Sequence, residues 1–245
     1  FQKRFGLKEA FILQSYEDKD ENNEIVVKFA AKEIEMYLQK THVAGISWGA
    51  TMRGVINDFN EKNFDNLYLI QLLGHPINSN RRKNPLTQEA AEKLHAHSLT
   101  LPGPLYVVNP KIIPALKHEP YFKVIENCYH NLDLLFTGLG TIQSFDVNQF
   151  LDENYGPRLF QNIPKDDIAG MILGRPYDIN GKFFEGFEQH ICGISMEDIM
   201  ATPIRFCIVR NRFKSDALLG ALRSGVITHL VTNDDIANRV LQNSY

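Results

Sequence analysis

The stretch Val43-Ala44-Gly45-Ile46-Ser47-Trp48-Gly49-Ala50-Thr51 decides how this chain is read. It has the pattern of a short apolar strand that breaks at a glycine and enters a helix near Thr51. Gly49 lets the backbone turn without a Cβ clash. The loop then aims backbone N–H groups and two hydroxyls, Ser47 and Thr51, at one spot. A helix N-terminus carries unpaired N–H groups and the positive end of the helix dipole, so it attracts phosphate and other anions. Taken alone, the same pattern also makes a plain βα corner.

Working outward, the flanking segments alternate between strand and helix patterns. Upstream, Glu9 to Ser15 holds the apolar run Ala10-Phe11-Ile12-Leu13, a strand. Glu17 to Asn22 reads as a charged loop. Val27, Ala31, Ile34 and Leu38 form one stripe of a helix over residues 23–39. Downstream, the helix runs on over residues 52–60, and Leu67 to Leu73 is apolar on both faces, as in a buried parallel strand. A polar loop with Arg81-Arg82-Lys83-Asn84 follows it, then a helix over residues 87–98. His95 and His97, two apart, point to different sides of that helix and are no metal pair. A strand is expected at Leu105–Val108, with short helices near residues 112–117 and 120–129. Leu132–Phe136 is an apolar strand that ends in a second glycine loop, Thr137-Gly138-Leu139-Gly140-Thr141. Two glycine loops at strand C-terminal ends are informative, because open α/β sheets bind ligands there.

From Asp166 the pattern changes. Asn180-Gly181 is a hairpin signal, and an antiparallel element is expected around it. Ser195 is placed to cap a short helix. A strand at residues 205–210, a polar loop to Lys214, a helix at 215–223, a strand at 226–232 and a helix at 234–242 complete the chain. Alternating strands and helices predict an α/β fold, Rossmann-like, with a mostly parallel sheet flanked by helices and a small antiparallel β element. One domain over residues 1–245 is expected.

Composition narrows the function. The 245 residues are 44% hydrophobic and 22% charged, as in an ordinary globular protein. A net charge of −3 argues against a main nucleic-acid surface within this segment. The three cysteines are scattered, which fits reduced thiols in a cytoplasmic compartment. Cys128 and His130 are neighbours only in sequence, and a nucleophile and its base are defined in space. No apolar run approaches a membrane span. The chain begins at Phe1, and more sequence is expected before it.

Lys214, at a strand-to-helix junction, can bring a point charge to a phosphate. Asp178, in the hairpin turn, can accept from a sugar hydroxyl or close its own turn. No nucleophile elbow, P-loop, paired-carboxylate motif or metal-ligand spacing is present, and no catalytic set, metal or cofactor is expected.

The ordered set of segments resembles the effector domain of the SorC family of bacterial transcriptional regulators. The matching segments are Phe5-Gly6-Leu7-Lys8-Glu9-Ala10, Gly45 to Thr51, Gly138-Leu139-Gly140, Tyr177 to Gly181, Lys214, Gly220 to Gly225 and Leu230 to Asn233. The resemblance implies a NagB/RpiA/CoA-transferase-like fold that binds a phosphorylated sugar. It implies a phosphate held by the loop Gly49, Ala50 and Thr51 with Lys214, to which the loop pattern adds the Ser47 hydroxyl. Asn84, Gly138, Gly140 and Asp178 would face the sugar. It also implies a helix-turn-helix for operator DNA upstream of this chain, a homodimer or homotetramer, and no membrane association. Two features depart from the family pattern. Val209-Arg210-Asn211-Arg212 replaces glycines before the lysine, and His75 follows Gly74 where a second glycine is frequent. A sugar-phosphate isomerase or deaminase on the same fold, and an oligomerisation module, are the competing functions.

Overall fold

The computed structural model describes residues 1–16, 18–76 and 85–244. In chain order the elements are α1 Gln2–Phe5, β1 Glu9–Leu13, α2 Lys19–Leu38, β2 Val43–Ile46, α3 Ala50–Asn57, β3 Tyr68–Gln71, α4 Leu86–Leu94 and β4 His97–Leu99. Next come α5 Ile112–Lys117, α6 Pro120–His130, β5 Leu134–Gly138, α7 Ile142–Asp146, α8 Gln149–Asn154 and α9 Gly156–Leu159. The chain closes with β6 Gly170–Ile172, β7 Arg175–Tyr177, α10 Met196–Ala201, β8 Ile204–Ile208, α11 Ser215–Arg223, β9 His229–Asn233 and α12 Asp234–Gln242.

Seven strands form one parallel sheet in the order β1-β9-β8-β5-β2-β3-β4. From β2 the chain builds outward through β3 and β4, then returns to lay β5 against the other side of β2. Strand order therefore reverses between β2 and β5. The crevice at such a reversal is where open α/β sheets hold ligands.

The strands alternate their side chains between two cores, as a period of two requires. Leu134 and Phe136 of β5, with Phe206 and Ile208 of β8, pack under α2, α3 and α4. Leu135 and Cys207 point the other way, into a core with α6, α11, α12 and the short helices after β5. Burial on both faces explains why these strands read as unbroken apolar runs. Gly45 has a packing reason of its own, because a Cβ there would collide with the Leu72 side chain.

Several expectations need correction. Helix α2 begins within the expected charged loop, because the Asp18 carboxylate caps the N–H groups of Asp20 and Glu21 at 2.7 and 3.1 Å. His97 and Ser98 leave the helix and pair with Tyr68 and Leu69 as edge strand β4, after a left-handed turn at His95. Leu105–Val108 is no ladder strand and touches its neighbours only through isolated bridges, such as Tyr106 to Ile191. The antiparallel pair is β6 with β7, turned at Leu173-Gly174. Asn180-Gly181 makes a second, smaller turn that returns Phe183 to Tyr177.

Candidate functional site

The site is assembled at the C-terminal ends of β2, β5 and β8. Gly49 takes φ +140°, a backbone region that side chains avoid, and nothing crowds its missing Cβ. Conformation, then, is what requires glycine here. Helix α3 starts immediately after it with no side-chain cap and no acidic residue in its first turn. The N–H groups of Ala50, Thr51 and Met52 consequently have no intrahelical acceptor and face the mouth of the sheet. Ser47 and Thr51 are both buried.

Register brings the second glycine loop alongside. Ile46 pairs with Phe136, and Ser47 N–H donates to the Phe136 carbonyl at 3.3 Å. Gly138 therefore sits against Thr51. A Cβ on Gly138 would meet Thr51 Cβ at 3.6 Å and Thr51 Oγ1 at 3.9 Å, both ordinary contacts. Gly140 is fixed to the hairpin, exchanging hydrogen bonds with Met171 at 2.8 and 3.0 Å. Neither glycine has a left-handed φ. What the two glycines supply is a backbone without a side chain: a Cβ on Gly138 would rest against Thr51 and one on Gly140 against Met171.

Lys214 closes the third side. It ends a 3-10 turn, Arg212–Lys214, that leads directly into α11. Its Nζ donates to the Leu139 carbonyl, between the two glycines, at 2.5 Å. Burial lowers the pKa of this amine, and the charge on Arg210 lowers it further. A half-buried ammonium beside a second cation is stabilised by an incoming anion.

Four buried side-chain atoms of the described residues have no hydrogen-bond partner: Ser47 Oγ, Trp48 Nε1, Gln71 Oε1 and Arg210 Nε. Ser47 and Trp48 follow β2, Gln71 ends β3, and Arg210 follows β8, three strands from β3 along the C-terminal edge of the sheet. Buried polar atoms are nearly always paired, so the unpaired Ser47 Oγ and Trp48 Nε1, next to the Gly49 turn, mark a place where a ligand supplies the partner.

The structure thus brings Ser47, Gly49, Ala50, Thr51, Gly138, Gly140 and Lys214 together. Asp178 lies elsewhere. Its carboxylate accepts from its own turn, Asn180 N and Lys182 N, each at 2.9 Å. A Cβ on Gly220 would meet its carbonyl, which puts Asp178 about 9 Å along α11 from Lys214 at 1.5 Å per residue. Asn84 and the Arg81–Lys83 run lie outside the described residues. Trp48 and Gln71 are additions that sequence reasoning missed. The available signal for Gln71 was a lone amide in the otherwise apolar run Leu67–Leu73. Cys128 and His130 do not form a reactive pair, since burial raises the thiol pKa and His130 Nδ1 turns to Asp198 at 2.5 Å.

The family model described as "Putative sugar-binding domain" matches residues 1–242. The chain belongs to this family. The full-length sorbitol operon regulator SorC of Klebsiella pneumoniae is 26% identical, with a TM-score of 0.83 over 98% of this chain and 78% of that one. A transcriptional regulator from Streptococcus pneumoniae shares the fold at a TM-score of 0.89 and 22% identity, over 99% of this chain and 94% of that one. Among curated proteins, the Escherichia coli transcriptional regulator YjhU is 25% identical over 85% of this chain. This sugar-binding domain spans 64% of YjhU's length, and 46% of the E. coli transcriptional regulator LsrR.

Proposed function

We propose that this chain is the effector-sensing part of a cytoplasmic transcriptional regulator, and that its ligand is a phosphorylated sugar. The observation that carries the reading is the uncapped start of α3, with Ser47 and Thr51 at its mouth and Lys214 opposite. The phosphate would accept from the N–H groups of Ala50 and Thr51 and draw Lys214 away from the Leu139 carbonyl. The sugar would lie over Gly138 and Gly140. Family membership supports sugar as the ligand class, and the regulators among its relatives support a role in transcription. On this reading operator DNA is bound by a separate helix-turn-helix, and the regulator works as a homodimer or homotetramer. Ligand would act by favouring one of two pre-existing arrangements of the assembly.

The residues gathered at the cradle carry no carboxylate and no imidazole, and Lys214, whose pKa burial lowers, is the group among them that could serve as a base, so the test includes turnover. A panel of sugar phosphates and their parent sugars, followed by calorimetry and by NMR of the ligand, tests both points. The expected result is binding of at least one sugar phosphate, none of its parent sugar, and no conversion of the ligand. Equal binding of ester and parent sugar removes the phosphate cradle, and conversion of the ligand restores the enzyme.

A further inference from the structure

Beside the cradle, on the other side of β8, the C-terminal ends of β1, β9 and β8 enclose an open cleft of about 630 Å³. Its wall carries three guanidinium groups, from Arg210, Arg212 and Arg239, and one carboxylate, from Asp235. Arg212 Nε pairs with Asp235 at 3.2 Å. Arg210 and Arg239 make no ion pair among the described residues, and Arg210 Nε is buried with no acceptor. The start of α12 does not account for this surplus. Asp234 and Asp235 fill its first turn, and Asn233 caps it through the Ile236 N–H at 3.0 Å. The Asp234 carboxylate is engaged by the Ser15 N–H at 2.9 Å. Two uncompensated cations therefore share one concave surface on a chain whose net charge is −3. The cleft has the size of a small-molecule site, and Tyr16 and Phe213 expose aromatic surface along it.

The geometry points to a second anion site, separate from the cradle, that takes a small phosphorylated molecule on Arg210 and Arg239. Guanidinium groups suit phosphate oxygens through paired, charge-assisted hydrogen bonds. The two sites share one short segment. In the 3-10 turn Arg212–Lys214, Arg212 and Phe213 line the cleft while Lys214 reaches the cradle, and Lys214 Nζ lies 5.8 Å from the Phe213 ring centroid. An anion that draws Arg210 and Arg212 into the cleft repositions the lysine. By linkage, each ligand then alters the affinity for the other by the same factor.

Pyrophosphate is the probe, titrated calorimetrically into wild type, Arg239→Gln and Lys214→Ala. Arg239 lies on the exposed face of α12, so its replacement leaves the core intact, and Arg210→Gln serves as a second variant. Pyrophosphate should bind wild type, bind Lys214→Ala equally, and bind Arg239→Gln and Arg210→Gln about tenfold more weakly, as expected for one lost charge-assisted hydrogen bond. No binding to wild type, or binding lost in Lys214→Ala but kept in Arg239→Gln, overturns the second site. The latter pattern would mean that pyrophosphate occupies the cradle alone. Failure of every sugar phosphate to bind would defeat the effector reading and leave an Arg239-dependent pyrophosphate site standing.

Discussion

Two residues divide the work at the cradle. Lys214 supplies charge, and its amine is held by a carbonyl that an anion can replace. Substituting Lys214→Ala should weaken sugar-phosphate binding about ten- to a hundredfold, the range for a lost hydrogen bond to a charged group. Calorimetry with the sugar phosphate reads the loss, and an unchanged affinity would remove Lys214 from the phosphate. Gly138 supplies space. A methyl there meets Thr51 Cβ and Oγ1 at ordinary contact distance, so Gly138→Ala should fold with an unchanged melting temperature. The same methyl stands where a ligand on Thr51 must pass, so affinity should fall about tenfold, or roughly 1.4 kcal/mol. Retained affinity would move the ligand away from β5.

At the level of elements, the hairpin β6–β7 matters because it braces the Gly140 loop from outside. The hairpin itself hangs on Arg175, which is 3% exposed. Its guanidinium pairs both oxygens of Glu188, at 2.7 and 2.9 Å, and donates to the Leu173 and Ile194 carbonyls, each at 2.7 Å. Arg175→Ala leaves the Leu173 and Ile194 carbonyls without their guanidinium donor, while half-exposed Glu188 keeps the Met196 N–H, and should cost about 2 kcal/mol in denaturant unfolding, the scale for buried acceptors left unpaired. A loss under about 1 kcal/mol, the range of a surface pair, would show that the hairpin is held by its apolar contacts alone. Elements governed by local chemistry were legible in the sequence. The Ser195 cap accepts from Asp198 N at 3.0 Å and starts α10 where expected, and α11 and α12 keep their expected bounds. Elements governed by distant partners were not. His97–Leu99 follows a helical pattern until it meets an open edge at β3. The short helices α7 to α9 bury one or two residues each, such as Leu151 and Leu159, too few to make a repeating stripe. Asp178 satisfied a family pattern in sequence, yet its carboxylate is spent on its own turn.

For the whole molecule, sheet order does what no single motif could show. The reversal between β2 and β5 sets two glycine loops side by side that are almost ninety positions apart in the chain, and β8 then delivers Lys214 to one flank and the arginine cleft to the other. The same layered burial imposes a pH dependence on stability. His229 opens β9, is 4% exposed, and packs its ring against Phe206 and Tyr37 with centroids 4.8 and 5.3 Å away. Burial, reinforced by the positive charges of Lys8 and Arg205, lowers its pKa from 6.5 to about 4. The unfolded chain therefore binds a proton near pH 6.5 that the folded chain refuses until about pH 4. Stability contributed by neutral His229 is complete above pH 6.5 and declines as pH falls through that window. Denaturant unfolding at pH 7 and pH 5 should show a drop for wild type that is smaller in His229→Gln, whose side chain does not titrate. An equal drop in both would assign the acid sensitivity to other groups.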